Sequence, residues 1–235
     1  MSISTTPPPA PPKKRGLGCL GCGCLILALL AILLAGLVAG GAYLGYTKIV
    51  GLSSTTPAAI PSFNGSDDVY GAAKQKLADF DHDVKNHQAA TIQLSADEIN
   101  SLISRYPDVV NNHIQVFVTL TNNEGRIQAN LPTDGLSQGL IKGRYFSLDA
   151  SFEINFDPQT KSVNLAFHAL QFGKANLTGH DASNPSFNES FMRSFTPTFN
   201  QSFNNAVRNY PDGKALLDQA KSIEIKNGEL VIETQ

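Results

Sequence analysis

The chain has 235 residues, 42% hydrophobic and 16% charged, with no Trp and 13 Pro, a composition that fits one globular domain with short low-complexity parts. All 20 acidic residues lie at or after Asp67, together with 14 of the 18 Lys and Arg, so residues 67–235 carry a net charge of −6. Such a domain lacks the cationic footprint that displaces counterions from phosphate backbones, which excludes nucleic acid as a partner. The three cysteines, Cys19, Cys22 and Cys24, all precede residue 25, so no internal disulfide holds the remainder of the chain.

Residues 1–16 form a Pro-rich tail closed by Lys13, Lys14 and Arg15. Between Arg15 and Lys48 lie 32 residues without a charge, and residues 25–38 are almost wholly Leu, Ile, Val and Ala. About 20 apolar residues span a bilayer as a helix, the one open-chain structure that satisfies its own backbone there. A transmembrane helix is therefore expected within residues 17–46. The basic cluster before it places the N-terminus in the cytoplasm and the rest outside, with Tyr43 and Tyr46 at the outer interface. A cleaved signal peptide is the competing reading.

Within that span Gly36 and Gly40, and again Gly41 and Gly45, have the four-residue spacing that lets two membrane helices approach, a route to a homodimer. Cys19, Cys22 and Cys24 sit at the cytoplasmic interface, where cysteines are candidates for acylation. A metal there would need a further ligand, and no His lies nearby.

Residues 47–66 contain Ser, Thr, Pro and Gly, with Lys48 the sole charge, and read as a flexible linker. Asp67 and Asp68 open a helix with Val69, Ala73, Leu77, Phe80 and Val84 on one face. Ser95 and Glu98 form a capping box for a second helix, with Ile99, Leu102, Ile103 and Tyr106 as its inner face and Pro107 as its stop.

From Ile114 the period changes to two. Ile114, Val116, Val118 and Leu120, a turn at residues 122–125, then Ile127, Ala129 and Leu131 read as a hairpin. Phe146, Leu148, Ala150, Phe152, Ile154 and Phe156 alternate with polar residues. Val163, Leu165 and Phe167 return, and a phase change to Leu170 and Phe172 predicts a bulge near Ala169.

Phe187, Phe191, Phe195, Phe199 and Phe203 recur every four residues, followed by Val207. Each step of four turns a helix by roughly 40°, so the stripe drifts, which suits a twisted partner. A long helix bent near Pro197 and lying across a twisted antiparallel sheet is predicted. Asn227-Gly228 between Ile223, Ile225 and Leu230, Ile232 predicts a closing hairpin. The expected fold is α+β, with two N-terminal helices and the Phe-striped helix packing one sheet.

Residues Leu94-Ser95-Ala96-Asp97-Glu98-Ile99-Asn100-Ser101-Leu102-Ile103 resemble the opening of uncharacterised bacterial single-pass membrane proteins of the YpmS type. The resemblance implies an N-terminal anchor and an extracytoplasmic α+β domain, and it implies no activity.

Asp79, Asp81 and Asp83 have the spacing of a calcium loop, but Val84 stands at its sixth position and Ala90 at its twelfth, so a solvated helix face is the expectation. Asp79, His82, Asp83 and His87 share one side of that helix without a second element to complete a metal site. The chain carries no P-loop, no H-E-x-x-H and no G-x-G-x-x-G after a predicted strand, and neither catalytic residue nor cofactor is assigned. Asn64, Asn176, Asn188 and Asn200 each begin an N-x-S/T pattern. The expectation is a membrane-anchored extracytoplasmic binding or scaffolding domain, with an envelope protein or lipid as partner. The alternatives are an apolar-ligand site between the Phe stripe and the sheet, and an envelope hydrolase.

Overall fold

The computed structural model describes residues 52–134, 142–173, 175–176 and 185–235. The transmembrane segment with Cys19, Cys22, Cys24, Gly36, Gly40, Gly41 and Gly45 lies outside them. In chain order the elements are α1 (Asp67–Lys85), β1 (Thr91–Ser95), α2 (Ala96–Ser104), α3 (Pro107–Asn111), β2 (Gln115–Thr121), β3 (Glu124–Pro132), β4 (Tyr145–Asp157), β5 (Ser162–Phe172), β6 (Ala175–Asn176), α4 (Pro185–Asn209), α5 (Pro211–Gln219), β7 (Ala220–Lys226) and β8 (Glu229–Thr234). The class is α+β with antiparallel sheets.

The helix starts obey local chemistry. Ser66 caps α1 by accepting from the Val69 N–H, and Asp67 and Asp68 occupy the positive first turn. Ser95 Oγ accepts from the Glu98 N–H at 3.2 Å while Glu98 Oε2 accepts from the Ser95 N–H at 2.9 Å, completing the capping box that starts α2. Pro107 does more than stop α2: it is the first residue of α3, where its missing N–H costs nothing.

The described strands form two sheets where the sequence suggested one: a five-stranded meander, β2-β3-β4-β5-β6, and a three-stranded sheet, β1-β8-β7. The difference arises at β1, a five-residue strand whose alternation of Ile92 and Leu94 is too short to stand out before the capping box. It pairs with β8, Thr91 opposite Glu233, and so recruits the C-terminal hairpin into a sheet of its own. Asn227 and Gly228 make that hairpin's turn, both left-handed at φ 54° and 79°.

One face of the five-stranded sheet is apolar, built from Val118, Ile127, Ala129, Leu148, Ala150, Phe152, Leu165 and Leu170. In β5, Ala169 lies opposite Ser151 and Phe167 opposite Phe152, so His168 is the extra residue. This bulge returns Leu170 and Phe172 to the core after the phase change. The β7–β8 hairpin packs on that face at Gly125. A Cβ there would lie 2.9 Å from Ile225 Cδ1 and 3.0 Å from the Phe152 ring.

Helices close both open edges of this sheet through asparagine side chains. Asn100 of α2, 1% exposed, accepts from the Val118 N–H at 2.7 Å and donates to the Val118 C=O at 2.8 Å. On the opposite edge Asn204 of α4 engages Val163 at 2.8 and 2.7 Å, and Asn200 engages Leu165 at 2.9 and 3.2 Å. Two strand residues advance about 6.6 Å and one four-residue helical step about 6 Å, so the spacings match. The Phe199 and Phe203 rings thereby face the sheet, with Phe199 5.3 Å from the Phe167 ring, edge to face.

Replacing Asn204 by Ala leaves the Val163 N–H and C=O buried without partners and is expected to cost about 3 kcal/mol. Asn200→Ala, at a half-exposed site that water reaches, is expected to cost about 1 kcal/mol. Denaturant unfolding of the full chain in detergent checks the order, and equal small losses would contradict the clamp.

Candidate functional site

Residues 60–63 pass beside the start of β2 and, with α2 and α3, enclose an open groove of about 400 Å³. Its walls include Ile60, Phe63, Ile103, Val109, Val110 and Val116. α3 carries Val109 and Val110 side by side, and a helix cannot turn neighbours inward together. Val109 is 6% exposed and Val110 53%, so an aliphatic side chain stands in water at the groove's rim. Val118 has its backbone groups on the outer edge of β2, where Asn100 takes them. Val116, two residues earlier on the strand, presents its own backbone to the same edge, inside the groove.

The Phe stripe divides. Phe203 is fully buried and Phe199 2% exposed, their rings stacked with centroids 6.5 Å apart. Phe195 is half-buried, 5.8 Å from Phe167 and 5.7 Å from Phe199. Phe195 and Phe199 both pack on Phe167, which meets Phe152 at 6.2 Å, and the buried Phe199 and Phe203 belong to the core. The side chains of Phe187 and Phe191 lie outside the described residues.

On α1 Asp79, Asp81, His82 and Asp83 go to local partners. Asp79 accepts from the Gln75 amide at 2.7 Å, Asp81 pairs with Lys85 at 2.7 Å, and His82 lies 3.4 Å from Asp83 and beside Asn86. Among the described residues no three metal-binding side chains come together. The hydrogen bond from Lys85 to Asp81 keeps that ammonium above its ordinary range, and Asp212 of α5 adds to it across the helix interface. Asn200 is unavailable as a glycan acceptor in the folded chain because its amide holds Leu165.

Two carboxylates are perturbed through partners on other elements. Burial pushes the Glu98 carboxyl up, but the Lys76 ammonium of α1 and the Ser95 N–H outweigh it and leave it below the usual range. Lys76 also donates to the Gln93 C=O of β1 at 3.1 Å, tying α1, β1 and α2 at one point. On the wet face of the meander the Arg126 guanidinium holds Asp149 down through two hydrogen bonds, 2.8 and 2.6 Å, assisted by Gln128 at 3.0 Å. A depressed carboxylate is ionised at neutral pH, the state suited to structural pairing and opposite to that of a general acid.

No family model matches the chain, and neither the curated proteins nor the solved structures hold a match. Among the described residues no helix is long and apolar enough to cross a membrane.

Because the folded Glu98 carboxyl lies below its unfolded value of about 4.3, its contribution is complete above that pH and is lost as pH falls through the folded value. Glu98→Gln keeps the cap acceptor and removes the charge. The variant is expected to be less stable than the parent by about 1–2 kcal/mol at neutral pH, with the gap closing in acid. Unfolding at pH 7 and pH 3 measures it, and a pH-independent gap would contradict the Lys76 pairing.

Proposed function

We propose that the chain is a single-pass membrane protein of the cell envelope whose outer α+β domain binds or scaffolds a polypeptide partner. In this reading residues 1–16 are cytoplasmic and residues 17–46 form the membrane helix. The support for the topology is the uncharged run of 32 residues and the basic cluster before it. The YpmS-type resemblance is proposed with it, on the segment around Ser95 and Glu98.

The observation that carries the binding role is the groove beside Val110. It joins aliphatic walls to the outer backbone edge of β2 at Val116, the two features by which an extended polypeptide is held: main-chain hydrogen bonds for affinity and pockets for alternate side chains. A second reading, an apolar ligand at the Phe-striped helix, is supported only by its N-terminal half. There Met192 and Phe195 are half-buried, whereas Phe199 and Phe203 belong to the core.

A photo-crosslinking residue at position 110 of the full chain in its own membrane is expected to give one discrete protein adduct, absent when the residue is placed at 159 in the β4–β5 turn. Val116→Pro removes an N–H that the β3 ladder does not use, so the fold should persist while the adduct is lost. An adduct unaffected by Val116→Pro, or equal adducts from both positions, would overturn the reading.

A further inference from the structure

The segment read as a flexible linker is fastened to one end of the five-stranded sheet. Ser54 and Tyr145 exchange two backbone hydrogen bonds, 2.9 and 2.7 Å, filling the place beside β4 that β5 vacates. Arg144 donates to Ser53 Oγ at 2.6 Å and to the Ser53 C=O at 2.7 Å. Ala58 then exchanges bonds with the buried Asn130 amide, 3.1 and 2.8 Å, and that amide also meets Gln115 and Ser147. Gly173 makes room for the segment: at φ +60° its absent Cβ would lie 2.1 Å from the Leu52 C=O. Residues 52–58 thus form a strap across the end of the sheet where β3 and β5 finish and β4 begins.

From that geometry we infer that this end of the domain, marked by Ser53, Arg144, Tyr145 and Gly173, is the surface apposed to the headgroups of the bilayer carrying the anchor. The inference rests on the membrane helix proposed for residues 17–46. Five residues, 47–51, then separate the helix from the strap, and fully extended they reach about 18 Å. The headgroup layer itself takes about 5–8 Å of that distance. A 20-residue free linker would let the domain drift and tumble, whereas the strap holds it close and in one orientation. The 13-residue strand β4 carries its far end, the β4–β5 turn, about 40 Å away. The strap also walls the groove, since residues 60–63 continue from it, so a partner seated beside Val110 meets the domain near the membrane.

The test uses the full chain with Cys19, Cys22 and Cys24 changed to Ser, in neutral phosphatidylcholine vesicles containing a trace of headgroup-labelled acceptor lipid. A single donor dye is placed through Lys142→Cys or Gln159→Cys, both at exposed positions. Energy transfer from position 142 is expected to exceed that from 159 by about twofold or more, given the axial separation of about 40 Å. Releasing the strap with Asn130→Ala and Arg144→Ala should bring the two positions together. Equal transfer from both positions in a chain that floats with the vesicles after alkaline carbonate would overturn the orientation and leave the anchor standing. A chain that does not float would remove the anchor, and the inference with it.

Discussion

A strand at the edge of a sheet carries a row of N–H and C=O groups with no neighbouring strand, and the way this chain satisfies them organises the rest of the molecule. An asparagine carboxamide can turn its C=O and one of its two N–H bonds to the same side, as a strand residue does, so it can stand in for a single residue of a missing strand. Asn100 does this at Val118, and Asn200 and Asn204 do it at Leu165 and Val163. Each clamp fixes a helix against a strand in register. With α4 so fixed, Phe195 and Phe199 meet Phe167 beside the bulge at His168; with α2 so fixed, its capping box reaches Lys76 of α1 and β1. Asn130 applies the same chemistry to Ala58, and there the guest is the segment that joins the domain to its N-terminal region.

Polar clamps of this kind are demanding. A buried carboxamide with one bond missing costs more than an apolar residue in its place, so each is favourable only when both bonds form. That demand specifies the fold as well as stabilising it. A one-residue slip of β5 along α4 would leave Asn200 and Asn204 facing residues whose N–H and C=O point into the β4 ladder instead of toward α4.

Much of the architecture was legible in the sequence because it is written in periodicity and caps. The capping box at Ser95, the β4 alternation, the Asn-Gly turn and the stripe from Phe195 to Phe203 each arise from local pattern, and each is found. The second sheet was not legible, because β1 is five residues long and its partner is more than a hundred residues away. The clamps were not legible either, since an Asn on a helix reads as a solvated residue until the strand beside it is known. Their signal was Asn200 and Asn204 at a four-residue spacing, set beside the Phe stripe. At the groove, the clue was the pair Val109-Val110 in a one-turn helix, which forces one apolar side chain outward. The strap escaped because a segment of Ser, Thr, Pro and Gly carries no periodicity, and its order comes from Asn130, Arg144 and Gly173, all distant in the chain.

The clamp is therefore the feature to probe directly, and amide hydrogen exchange resolved to single residues of the full chain does so. The Val118, Val163 and Leu165 amides face the open edges of the sheet, where unpartnered groups would exchange through small local openings. If the asparagines close these edges, all three exchange as slowly as amides inside the β3–β4 ladder. Rapid exchange at these residues, with the ladder still protected, would show the edges to be open and would contradict the clamp.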